Sequence, residues 1–116
     1  MITPGNGGPC ISIIDGYLYI TIDTKIYRYF NGNMEFIFEV NDHNFGVHIW
    51  GRNRKDILIR MQDGIAHYNG TDWKYLYKSP EPVILAPNCT IFNNEVFIPA
   101  KLRSTGYPII YHGILK

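Results

Sequence analysis

The chain is poor in cysteine, in net charge and in long apolar runs, and each shortage excludes a class of protein. Two cysteines, Cys10 and Cys89, among 116 residues cannot build the disulfide framework of a small secreted scaffold. A formal charge of +1 supplies no bulk field for a nucleic-acid partner. No apolar run approaches the roughly 20 residues that a membrane-spanning helix needs, so no membrane partner is expected. The opening residues MITPGNGGP lack the basic start and apolar stretch of a secretory leader, which makes a cytoplasmic, reducing setting the expectation. Helical periodicity is missing too, and the spacing of glycine and proline would interrupt it. Aromatic residues, in contrast, are plentiful. They make up 15% of the chain, nine Tyr and six Phe among them, and such side chains suit a pleated, half-buried surface.

Self-similarity organises the rest. Tyr17-Leu18-Tyr19-Ile20, Asp56-Ile57-Leu58-Ile59 and Glu95-Val96-Phe97-Ile98 recur at an interval of 39 residues. The same interval carries Ile26 onto Ile65, Tyr29 onto Tyr68, and Met34-Glu35-Phe36-Ile37-Phe38 onto Trp73-Lys74-Tyr75-Leu76-Tyr77. Twice the interval places Ser12-Ile13-Ile14 on Thr90-Ile91-Phe92. Turn chemistry falls between these segments. Asp15-Gly16, Arg52-Asn53-Arg54-Lys55 and Asn93-Asn94 separate the first strand of each copy from the second. Asp23-Thr24, Asp63-Gly64 and a longer Lys101–Gly106 loop separate the second from the third. Asn31-Gly32, Asn69-Gly70 and His112-Gly113 are expected between the third and fourth. Asn-Gly and Asp-Gly favour the positive backbone angles of tight hairpins. The sequence therefore predicts an all-β protein of three antiparallel four-stranded β-meander repeats, spanning about 10–40, 46–78 and 89–116.

Units of this size are those of β-propeller blades. The run Asp63-Gly64-Ile65-Ala66-His67-Tyr68-Asn69-Gly70-Thr71-Asp72-Trp73 resembles blades of the Kelch-like and tachylectin-like propeller families, in which a turn glycine, a Tyr-Asn-Gly hairpin and a following tryptophan recur. The resemblance implies a propeller-like architecture and no particular activity. The Gly-His and Trp-Asp pairs of WD repeats are absent. Three blades make half a propeller, and the third is incomplete: with Tyr111-His112-Gly113 set on Tyr68-Asn69-Gly70, only Ile114 and Leu115 remain of its fourth strand. Three blades also leave two apolar faces open. The expectation is a homo-oligomer, with two copies closing a six-bladed ring head to tail, or membership of a larger ring.

Candidate chemistry is sparse. Asp42, His43 and His48 cluster in the connector between the first two copies, where imidazole and carboxylate suit zinc, but their spacing matches no zinc pattern and no metal is expected. His67 occupies the place of Arg28 in the first copy, which reads as a solvent-facing polar position. Ser12, Ser79 and Ser104 lack a nucleophile elbow, and the cysteines open inner strands, where a thiol is a small hydrophobe. Arg60 with Tyr68 and Trp73 loosely resembles the arginine-plus-aromatic pockets of fucose-binding small propellers, yet Gly64-Ile65-Ala66-His67 lacks the acidic partner. Trp50, Trp73, Tyr75 and Tyr77 fit packing between blades better than sugar stacking.

Long loops on a rigid scaffold are where binding residues gather. Asp42–His48, Ser79–Pro87 and Lys101–Gly106 are expected on one face, which makes Asp42, His43, His48, Lys101 and Arg103 the candidate ligand-binding residues. No catalytic residue and no cofactor are expected. The functional expectation is a non-enzymatic binding module for protein or glycan, working as an assembled oligomer. The alternatives are a propeller hydrolase or lyase with its site at the central channel, and a structural part of a larger assembly. Of the inner strands only the second brings a titratable group other than cysteine, His48, which favours binding over catalysis.

Overall fold

The computed structural model of the chain describes residues 10–80, 83–85, 90–92 and 94–114. Cys89, Asn93 and the opening nine residues, on which several expectations fell, lie outside them. The described chain is all-β. No helix among the described residues is long and apolar enough to cross a membrane.

Three antiparallel sheets follow one another along the chain. The first is a meander of β1 (Cys10–Ile14), β2 (Tyr17–Ile22), β3 (Lys25–Phe30) and β4 (Asn33–Glu39). The second repeats it with β5 (Phe45–Asn53), β6 (Asp56–Met61), β7 (Gly64–Tyr68) and β8 (Trp73–Lys78). In the third, β9 (Val83–Leu85) and β10 (Thr90–Phe92) both pair with β11 (Glu95–Leu102), whose other edge carries β12 (Pro108–Ile114).

Hairpin chemistry sets the turns of the first sheet. Asp15 and Gly16 have φ of 53° and 78°, and Asn31 and Gly32 have 54° and 85°. Two successive positive angles give the twist of a type I′ turn, which feeds antiparallel strands directly. Between the third and fourth strands both meanders carry a bulge at the same place. It falls between Ile26 and Tyr27 in β3 and between Ile65 and Ala66 in β7, leaving Ile37 and Leu76 as the extra residues. A glycine suits the start of β7, since a Cβ on Gly64 would lie 2.0 Å from the Tyr77 carbonyl oxygen.

Packing is face to face, with the second sheet in the middle. Ile14, Tyr19, Ile26 and Phe38 of the first sheet share a core with Ile57, Ile59, Met61 and Tyr68 of the second. Leu58 and Ile65, on the opposite face of the second sheet, share another with Val96 and Ile98. Ile57, Leu58 and Ile59 are therefore all buried although their side chains alternate between faces. An uninterrupted apolar run is what a strand covered on both sides requires, and each such burial contributes roughly 1.5–3 kcal/mol. Polar links brace the first interface: the Ser12 hydroxyl donates to the Ile49 carbonyl at 2.9 Å, and Arg54 lies 3.6 Å from Glu35 across the sheets.

Several expected loops are shorter than the sequence suggested. The Asp42–His48 connector gives way to strand at Phe45, so His48 lies inside β5. Val83–Leu85 interrupts the Ser79–Pro87 segment by pairing with Ala100–Leu102. Lys101 lies in β11, paired with Pro108. His112-Gly113 is not a turn: both residues sit in β12, opposite Phe97 and Val96.

Candidate interaction surfaces

The predicted ligand-binding residues do not form one site. The Asp42 carboxylate accepts the Asn44 backbone N–H at 2.8 Å, closing the turn that leads into β5. His43 is almost fully exposed, its Nδ1 3.9 Å from the same carboxylate. His48 Nδ1 lies 3.1 Å from the Gly46 carbonyl oxygen and 3.2 Å from an Arg60 guanidinium nitrogen, and the ring is half-buried in the sheet. Lys101 and Arg103 are exposed at the far end of the third sheet. No hydrogen bond or ion pair joins these five residues beyond the Asp42–His43 contact, and no trio of metal-ligating side chains occurs among the described residues.

Register comparison locates what the motifs missed. Leu18 pairs with Tyr29 and Ile20 with Tyr27, as Ile57 pairs with Tyr68 and Ile59 with Ala66. Tyr29 then pairs with Met34 and Tyr27 with Phe36, as Tyr68 pairs with Trp73 and Ala66 with Tyr75. In the second sheet these positions face the first and are packed into or against the shared core. In the first sheet the same positions face away from the second. Tyr29, Met34 and Phe36 are exposed there, and on the same face Ile11 and Ile13 of β1, paired with Ile20 and Leu18, are 63% and 75% exposed. The first sheet thus presents to solvent the apolar face that the second sheet buries.

The opposite faces also correspond. Arg28 stands over the Tyr17 ring, 4.6 Å from its centroid. At the matching places His67 Nε2 lies 2.7 Å from Asp56 Oδ1, and His112 Nε2 lies 2.8 Å from Glu95 Oε1. Burial tends to raise the Asp56 pKa, but hydrogen bonds from His67 and Arg52 outweigh it and hold the carboxyl below the usual range. The third sheet turns this face outward, with Phe97 stacked on His112 at 4.5 Å and Ile110 and Ile114 exposed alongside.

A cleft opens between the second and third sheets. Phe38 of β4 stacks on Tyr68 at the first interface, whereas at the second interface Tyr77 of β8 meets Tyr111, two residues before Gly113. Gly113 is the counterpart of Tyr68: it pairs with Val96, which follows Ile57 by the same interval as Ile57 follows Leu18. With no side chain at Gly113, a cavity of about 350 Å³ remains, walled by Leu58, Ile65, Leu76, Tyr77 and Tyr111. Leu76 also borders a more polar hollow that holds Arg52, Lys55 and His67.

No protein-family model matches the chain, and neither curated proteins nor solved structures give a match.

Proposed function

We propose that this protein is a non-enzymatic interaction module of β-propeller type that works as a head-to-tail oligomer, with two copies closing a ring of six sheets. One observation carries the reading: the bare apolar face of the first sheet matches, position by position, the face that the second sheet buries against the first. A contiguous apolar face of this kind is an interaction surface in a water-borne protein. The surface that would meet it is the outward face of the third sheet, which matches the face the first sheet sets against the second. Two unlike faces at opposite ends of a stack make a heterologous contact, and a closed ring satisfies both. The separation of the five expected ligand residues leaves the shared sheet faces as the better-supported working surface.

Light scattering of the purified chain tests this. The expected mass is twice the 13.4 kDa of one copy. Phe36→Glu, at the centre of the bare face, is expected to halve it without unfolding the chain, because Phe36 is already exposed. A wild-type mass of one copy at micromolar concentration overturns the oligomer.

A further inference from the structure

We infer that the β12 edge and the cleft beside it form a strand-addition site for an extended peptide of apolar–charged–aromatic pattern. The inference deepens the interaction-module reading by assigning the ligand as a polypeptide strand. Among the described residues no strand pairs with the outer edge of β12, so a row of backbone groups faces outward there. The chain itself shows twice what belongs at such an edge. β4 pairs with β3 and β8 pairs with β7, both antiparallel.

The side chains those strands carry define the ligand. Trp73 and Tyr75 of β8 lie opposite Tyr68 and Ala66 and pack against the core shared with the first sheet, with Lys74 exposed between them. Met34 and Phe36 hold the same places in β4, with Glu35 between. A strand added to β12 in the same sense places two side chains opposite Gly113 and Tyr111, both on the face toward the second sheet. That is where the cavity lies, with Leu76 and Tyr77 across from Tyr111. At about 350 Å³ it is large enough for an aromatic ring, and its walls are mostly aliphatic and aromatic. Leu76 is 61% exposed, whereas Ile37, its counterpart at the first interface, packs against the core. Main-chain pairing along an edge with a pocket for alternate side chains is the general mode of β-augmentation.

The chain's own sequence supplies the probe: a synthetic peptide of residues 71–80, TDWKYLYKSP, titrated into the isotope-labelled full chain. Saturable amide shifts are expected over 109–114 and at Leu76 and Tyr77, with a dissociation constant below about 1 mM. A peptide with Trp73→Ser and Tyr75→Ser is expected to bind at least tenfold more weakly, and Leu76→Lys in the protein to weaken the native peptide similarly. Leu76 is exposed, so that variant tests the cleft without removing core. The titration is repeated on the Phe36→Glu chain, a variant aimed at the proposed assembly contact that leaves β12 untouched. Binding by both chains supports the site whatever the oligomeric mass. Absence of saturable binding, shifts centred on the first sheet, or indifference to Leu76→Lys overturns it.

Discussion

Phe38 lies flat on Tyr68, with ring centroids 3.9 Å apart and planes within 5° of parallel. This contact joins the outer strand of the first sheet to the third strand of the second, and Tyr68 is 6% exposed. Removing a buried ring leaves a void that a sheet interface closes poorly. Tyr68→Ala is expected to lower stability by about 3 kcal/mol, seen as a lower urea midpoint with an unchanged slope. A loss under about 1 kcal/mol would mean that the ring pair adds little to the interface. The contrast with Gly113 is direct, because the second interface already lacks this ring.

Asp56 gives the fold an acid-sensitive element. Burial alone would raise its pKa, yet the hydrogen bonds from His67 and Arg52 bring it below the ordinary carboxylate value. A carboxyl with a depressed folded-state pKa contributes stability that is present above the unfolded value, near pH 4, and is lost as pH falls through the folded value. Asp56→Asn is expected to be less stable than wild type at pH 7 and to lose less stability on going below about pH 4. Urea midpoints across that range decide the matter, and parallel profiles for the two proteins would refute the assignment.

Much of the fold was legible because turn residues and alternation are local signals. Asp15-Gly16 and Asn31-Gly32 adopt the positive angles that these residue types tolerate. The 39-residue interval survives into the first two sheets because each carries the same bulge, at Ile37 and at Leu76. The third sheet departs from the expected pattern for a physical reason. A glycine that admits a turn and a glycine that sits in a strand are the same letter, and only the pairing of Gly113 with Val96 separates them. β9 has no local signature, because three residues in a proline-bearing segment become strand only through their long-range partners Ala100–Leu102. Loop length alone points to the candidate ligand residues, and the strands that shorten those loops disperse them. The cleft had no local signal at all, since it arises from a side chain that Gly113 does not have.

Thr21 is a polar atom in the wrong company. It is 1% exposed, and its hydroxyl oxygen has no hydrogen-bond partner among the described residues. Its neighbours across the strands are Cys10 and Ile26, and a buried hydroxyl left unpaired costs free energy that a methyl group would not. Thr21→Val keeps the shape and removes the unpaired group, so it is expected to raise stability by about 1 kcal/mol. A urea midpoint lower than wild type would show that the hydroxyl is satisfied in solution.

Tyr75 couples the second sheet to the connector that enters it. Its hydroxyl donates to Asp63 Oδ1 at 2.7 Å, and the other oxygen of that carboxylate accepts from Asn44 at 3.3 Å and lies 3.8 Å from Lys78 Nζ. Burial, and then the adjacent Asp63 charge, raise the phenol's pKa far above its ordinary value. The group is therefore a donor wherever the protein is folded. A raised folded-state pKa contributes stability that is complete below the unfolded value near 10 and is lost as pH rises above it. Tyr75→Phe is expected to cost about 1–2 kcal/mol at pH 7, because it leaves Asp63 one hydrogen bond short. It is also expected to reduce the decline in stability above about pH 10, while leaving the phenolate titration of the folded protein in that range unchanged. Adding Asp63→Asn should lessen the cost of removing the hydroxyl, since the bond it breaks is no longer charge-assisted. Equal costs in the two backgrounds would separate Tyr75 from Asp63 and assign its effect to packing against the core.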